Sequence, residues 1–308
     1  MTEKTPHCKL GIIAGGGTLP SALIDFCHQT HLPFFVLALK NHAQPSMLPT
    51  DCAMAWIRIG SVGKAIRLMK KNGVTDIVMI GYVRRPSIME LLPDIKGLHL
   101  LARVGLAQKG DDGLLRDIIR EIEALNFRVR GIHEFLPNLL SPLGVLTKFQ
   151  PSASDQNDIK RGCYVAKLLG LADVGQSVIV QNGLVLSMEG IEGTKSLIER
   201  TKTLKRKGNG GVLVKTIKPM QDARVDMPTI GPDTVQSVFD AGLKGIAIEA
   251  GHVLITDLNQ VVQKADKLGI FIVGVQSDTL IEPVLNEQIN QFSTCINQHT
   301  TKQEGRHD

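Results

Sequence analysis

Aromatic residues are scarce. The 308 residues include nine Phe, two Tyr and one Trp, too few to furnish the stacked platforms that single-stranded nucleic acid needs. No dense block of Lys and Arg is present; the strongest run is Lys205-Arg206-Lys207. The net charge of +5 suits an acidic ligand or an anionic surface and does not argue for DNA. Nucleic acid is therefore not an expected partner. The five cysteines are odd in number and form no C-x-x-C pair, which excludes a disulfide framework and a thiolate zinc site and reads as reduced thiols in the cytoplasm. The histidines show neither H-x-x-x-H nor H-E-x-x-H spacing, and no G-x-S-x-G elbow occurs, so zinc-protease and α/β-hydrolase chemistry have no foothold. No run of about 20 apolar residues exists to span a membrane, and the polar N-terminus has no signal-peptide core.

Glycine, in contrast, is plentiful at 30 residues, which predicts tight turns and close backbone approaches. The first half alternates strand and helix signals. "KLGIIAG" (9–15), "FFVLAL" (34–39), "AWIRI" (55–59) and "DIVMIG" (76–81) read as buried strands. Helical spacing separates them at Leu19, Leu23 and Phe26 and again over "SVGKAIRLMKKNG", which Asn72-Gly73 should end. "DGLLRDIIREIEALN" is an amphipathic helix with Asp112 as its expected N-cap. Such alternation predicts an open, mainly parallel, Rossmann-like sheet covered on both faces. The rhythm breaks around Pro137, Pro142 and Pro151, so the expected organisation is an N-terminal α/β domain over 1–135, a linker over 136–153, a second α/β domain over 154–280 and a polar tail over 281–308. The second domain should open on a helix capped by Ser154 or Asp155. It should continue into a hairpin turning at Asn182-Gly183, the strongest short-range hairpin signal in the chain.

Two stretches carry candidate chemistry. In "LGIIAGGGTLP" (10–20), a strand runs into Gly15, Gly16, Gly17 and Thr18 before a helix. Backbone N–H groups there can meet a phosphate. The loop is not a dinucleotide fingerprint, since Pro20 occupies the third glycine position, nor a P-loop, since Gly17 stands where the lysine belongs. "GSVGKA" (60–65) also approaches a P-loop, but Ala65 replaces the Ser or Thr that would hold magnesium; a plain helix start is favoured. In "KPMQDARVDMPTIGP" (218–232), Lys218, Asp222, Arg224 and Asp226 fall within nine residues bounded by prolines. If extended, Asp222, Arg224 and Asp226 point to one side. Carboxylates there and at Glu249, which ends "GIAIE", offer the hard oxygens that Mg²⁺ takes. Lys215, Lys218 and Arg224 could neutralise phosphate. Equally, Asp222 or Asp226 with Arg224 could be a surface ion pair of little worth, and the residues alone leave both readings open. "LHLLARVGLA" (98–107) is either an apolar groove or a buried core helix.

"LGIIAGGGTLP", "GDDGLLRDII", "KPMQDARVDMPTIGP" and "GIAIEAGHVLITD", in that order, resemble the UDP-2,3-diacylglucosamine pyrophosphatases of lipid A biosynthesis, of the type unrelated to metallophosphoesterases. The resemblance spans about 9–276. It implies Mg²⁺-dependent hydrolysis of UDP-2,3-diacylglucosamine to 2,3-diacylglucosamine 1-phosphate and UMP, with water attacking the phosphorus on the uridine side. It implies two domains and work on the cytoplasmic side of the inner membrane, in transient contact with it. The motif aspartate needed for turnover falls on Asp226, with Asp222 beside it; Asp226, Asp222 and Glu249 are the candidate metal ligands, and Thr229 of the same motif is a candidate substrate contact. A homo-oligomer stays open. The alternative functions are a non-catalytic nucleotide-sugar or dinucleotide-binding protein and an oxidoreductase, against which Pro20 counts.

Overall fold

The first strand, β1 (Leu10–Ala14), is apolar along its length because both of its faces are covered. A computed structural model describes residues 8–83, 94, 97, 111–208 and 210–280. The stretch 98–107, the tail from 281 and Cys295 lie outside the described residues. Contact density divides the chain into two compact units: Met1–Leu140 with Met220–Met227, and Ser141–Pro219 with Pro228–Asp308.

In the first unit, β1 is followed by α1 (Leu19–Gln29), β2 (Phe34–Leu39), β3 (Met54–Ile57), α2 (Val62–Lys71), β4 (Asp76–Ile80), α3 (Asp111–Glu123) and β5 (Arg128–Val129). The strands pair in parallel in the order β3-β2-β1-β4-β5. This is the open parallel sheet that the alternating pattern predicts. Phe35, Leu37 and Leu39 of β2 pack with Met69 of α2 and Ile77 of β4 in one apolar cluster, since alternate residues of a strand share a face. The order reverses at β1: β2 lies on one side and β4 on the other. In an open α/β sheet, ligands bind beyond the strand C-termini at such a reversal. Asp112 lies inside α3 instead of capping it; the helix begins a residue earlier.

The second unit opens on β6 (Gly144–Val145) and α4 (Ala153–Leu171). Ser152 caps α4 by accepting from the Asp155 N–H, and Asp155 reaches back to the Ser152 N–H (2.8 Å). The expected cap was one position pair further on; Asp155 is in fact the return partner of a capping box. Next come β7 (Ser177–Gln181), β8 (Leu184–Met188), α5 (Gly193–Leu204), β9 (Val212–Lys215), β10 (Thr229–Ile230) and α6 (Pro232–Asp240). The unit closes with β11 (Gly245–Glu249), β12 (Leu254–Ile255), α7 (Leu258–Leu268) and β13 (Phe271–Val275). A mixed sheet runs β6-β13-β11-β9-β7-β8, with β9, β11 and β13 parallel. Val212 and Val214 face Cys163 of α4, while Leu213 faces the cluster built from α5, α6 and α7. The β7–β8 hairpin turns at Asn182 (φ 51°) and Gly183 (φ 77°), the pair of left-handed residues that a type I′ turn requires. Buried Asp158 of α4 accepts from both turn N–H groups (2.9 and 2.6 Å).

Candidate active site

The glycine loop is built by close approach. Beyond β1, the Gly15 N–H donates to the Ile80 carbonyl (2.8 Å), and Gly16 and Tyr82 exchange both of their backbone bonds (2.9 and 3.0 Å). A Cβ on Gly15 would lie 2.7 Å from the Tyr82 carbonyl oxygen, and one on Gly16 would lie 2.6 Å from the Tyr82 ring. Two of the candidate phosphate donors, Gly15 and Gly16, are therefore already spent on the chain segment after β4. That corrects the expectation for those residues: the reason for glycine there is packing. Among the described residues, no acceptor takes the N–H of Gly17 or Thr18. Thr18 is the N-cap of α1 and makes no side-chain cap bond. The free donors of this loop thus stand at a helix start, where an anion is favoured.

The second glycine-bearing helix start is different. At α2, the Asp94 carboxylate accepts from the N–H groups of Gly63 and Lys64 (3.2 Å each) and of Gly97 (2.8 Å). Burial would raise the Asp94 pKa, but these backbone bonds outweigh it and hold the carboxyl below its usual range. The helix start at "GSVGKA" thus has its anion supplied from within the chain.

The segment Met220–Met227 groups with the first unit. It is not extended. The N–H groups of Val225 and Asp226 both reach back to the Asp222 carbonyl (3.1 and 3.2 Å), a single helical turn. Asp222 and Asp226 still share a side, now through a spacing of four on a turn. Arg224 folds back on Asp222: Nε donates to Oδ1 (3.0 Å), Nη2 to Oδ2 (2.7 Å), and the Arg224 N–H also to Oδ1 (3.0 Å). Its Nη1 donates to Glu123 of α3 (2.8 Å). The Arg224 bonds, against a lesser opposing effect of burial, hold the Asp222 carboxyl below the usual carboxylate range, as a bidentate guanidinium pair should. Asp226, half-buried, accepts from the Gln221 side chain at Oδ2 (2.5 Å). Among the described residues, nothing donates to its Oδ1.

The other candidates belong to the second unit. Glu249, at the end of β11, is buried. Its Oε1 accepts from Lys167 (2.8 Å) and Ser277 (2.6 Å), and its Oε2 from the Ile217 N–H (2.9 Å). Lys215 donates to Thr194 (2.6 Å), which donates to Glu189 (2.7 Å). Lys218 is paired with Asp173 (2.7 Å). Thr229 lies in β10, paired in parallel with Leu254 of β12.

Asp222 and Asp226 belong to the first unit and Glu249 to the second. Among the described residues, no group of three or more His, Cys, Asp or Glu could hold a metal ion. Glu249 has partners on both oxygens, an ammonium and a hydroxyl on one and an amide on the other, and Asp222 is clamped by Arg224. Asp226 alone keeps an open oxygen. Mg²⁺ commonly takes only one or two protein carboxylates and fills its shell with waters and phosphate oxygens; Asp226 has an oxygen to offer one, whereas Asp222 and Glu249 would first have to give up a partner. Sequence reasoning missed Lys167, Gln221, Asp94 and Tyr82. A lysine inside the apolar run "YVAKLLGL" was the one available signal for a buried charge pair.

The four motifs have counterparts among known proteins. The family models for the LpxI N-terminal domain and the LpxI C-terminal domain match residues 9–139 and 142–273. The UDP-2,3-diacylglucosamine pyrophosphatase LpxI of Caulobacter vibrioides is 39% identical over 274 residues, covering 87% of this chain and 97% of that protein. Among solved structures, the enzyme WbmG of Bordetella bronchiseptica in complex with NAD shares 13% identity, with coverage of 92% of this chain and 89% of that one and a TM-score of 0.33. The protein gox2253 shares 9%, with coverage of 90% and 92% and a TM-score of 0.29. Both likenesses are too slight to bear on fold or function. With both domain models matched in order and a relative aligned over almost its full length, the chain belongs to the LpxI family.

Proposed function

We propose that this chain hydrolyses the pyrophosphate bond of UDP-2,3-diacylglucosamine, yielding 2,3-diacylglucosamine 1-phosphate and UMP, with Mg²⁺ held at Asp226. The observation that carries the reading is the half-satisfied carboxylate of Asp226, in a chain whose family includes a pyrophosphatase of that substrate. Gln221 fixes one oxygen and leaves the other facing no donor of its own. When bound, Mg²⁺ supplies charge that neutralises the pyrophosphate oxygens and polarises the phosphorus.

The remaining work falls to side chains and backbone. Asp226 has one open oxygen, which holds the metal or, in its place, orients the attacking water and accepts its proton. The water oxygen forms a bond to the uridine-side phosphorus as the bridging P–O bond breaks, and the leaving phosphate stays on the sugar. Arg224 keeps part of its donor fork free after binding Asp222 and Glu123 and offsets negative charge nearby. The unspent Gly17 and Thr18 N–H groups suit a phosphate oxygen. Lys218 would reach substrate only by leaving Asp173, and Lys215 by leaving Thr194. A substrate with two acyl chains brings the working protein to the cytoplasmic face of the inner membrane. No helix among the described residues is long and apolar enough to cross a membrane.

The test is to incubate the chain with UDP-2,3-diacylglucosamine, with and without EDTA, and to measure UMP. UMP should form, stop with EDTA and resume on addition of Mg²⁺. UMP release indifferent to EDTA removes the metal from the proposal. Binding of the substrate with no UMP leaves the non-catalytic nucleotide-sugar binder.

A further inference from the structure

We propose that Tyr82 is the stacking platform for the uracil ring of the substrate, an inference that rests on the uridine-containing substrate proposed above. Tyr82 is 52% exposed and is the one exposed aromatic side chain of the first unit among the described residues. Water-exposed phenol rings need a reason in a chain this poor in aromatics. Among the described residues packing does not supply one: the ring lies beside the Gly16 and Gly17 backbone and belongs to no apolar cluster. A Cβ on Gly16 would be 2.6 Å from its Cζ and 2.7 Å from its Cε1, and one on Gly17 would be 3.7 Å from its Cδ1.

Two glycines therefore lie against the ring, where any larger residue would collide with it or crowd it. The two-way backbone pairing of Gly16 with Tyr82 fixes the main chain that carries it. A platform held this way needs little ordering when a ligand arrives. Its location carries the second half of the argument. Tyr82 lies just beyond the C-terminal end of β4, beside the end of β1, where the strand order reverses. That is the crevice where open α/β sheets bind nucleotides. Of the parts of the substrate, only the base presents a flat π-face, and base–aromatic stacking needs no hydrogen-bond readout. The unspent Gly17 and Thr18 N–H groups begin immediately beside the ring, so a base on Tyr82 and a phosphate at the helix start belong to one nucleotide.

The experiment compares two probes, UMP and ribose 5-phosphate, titrated calorimetrically into the full chain and into Tyr82→Ala and Tyr82→Phe. Wild type should prefer UMP. Tyr82→Ala should weaken UMP by about five- to a hundredfold and leave ribose 5-phosphate unchanged, while Tyr82→Phe keeps the preference because the ring and not the hydroxyl does the stacking. With the lipid substrate, Tyr82→Ala should raise KM and spare kcat. A wild type without preference for UMP, an Ala variant that retains it, or a Phe variant that loses it overturns the inference. A wild type that releases no UMP from the lipid substrate overturns the function, whatever the binding data say.

Discussion

Asp226 and Glu249 look alike in the sequence, each an acidic residue beyond a strand of an α/β domain. In three dimensions they are opposites. Glu249 is buried, and an ammonium, a hydroxyl and a backbone N–H take its oxygens. Asp226 is half-buried and uses one oxygen only, toward Gln221. A carboxylate whose acceptors are filled from within serves the fold, and one with an open oxygen has capacity left for water or a metal. The two glycine-bearing helix starts make the same point: Asp94 fills the donors of α2, while those at Gly17 and Thr18 stay open.

The comparison breaks most visibly at Asp226. Asp226→Ala should lower kcat by about 10²- to 10⁴-fold with substrate binding and melting temperature nearly unchanged; UMP release at the wild-type rate would remove Asp226 from the chemistry. Glu249→Ala should show the opposite profile. It leaves Lys167 buried, with only exposed Asp278 at 3.6 Å, and should cost about 3–5 kcal/mol in urea unfolding. Glu249→Gln keeps one acceptor oxygen, for the Ile217 N–H or for Ser277 and Lys167 but not for both sides, and should cost less. An Ala variant as stable as wild type, yet inactive, would return Glu249 to the catalytic set.

The smallest effect concerns pH at Asp222. Its folded pKa is depressed by Arg224, so its contribution to stability is fully present above the unfolded value of about 3.9 and is lost as pH falls through the lower folded value. The stability difference between wild type and Asp222→Asn should thus stay flat from about pH 7 to pH 5 and shrink only below about pH 4. A difference that already fades between pH 7 and pH 5 would mean that Arg224 does not hold the carboxylate.

Much of the fold was legible. Apolar runs four to six residues long, spaced by amphipathic helices, marked the parallel sheet of the first unit because a strand buried on both faces must be apolar throughout. Asn182-Gly183 announced its hairpin because few pairs tolerate two left-handed residues. The site was legible only in part. Arg224 and Asp222 lie close in sequence, but their clamp depends on a turn at 222–226 that alternating charges do not encode. The grouping of Met220–Met227 with the first unit was invisible, since it depends on contacts with residues such as Glu123, about a hundred positions away. The start of α4 was misplaced by two or three residues because "SASD" offers several oxygens of capping type, and only the backbone geometry selects Ser152.

By itself, the sequence determined the elements, their alternation and the family, because periodicity, turn residues and ordered motifs are local or nearly local properties. Tertiary structure decided which polar groups were already spent. Whether Gly16 bonds a phosphate or Tyr82, and whether Glu249 faces a metal ion or Lys167, depends on partners brought near by folding. A hydrogen-bonding group has few lone pairs or protons, so each partner the fold supplies is one that a ligand cannot use.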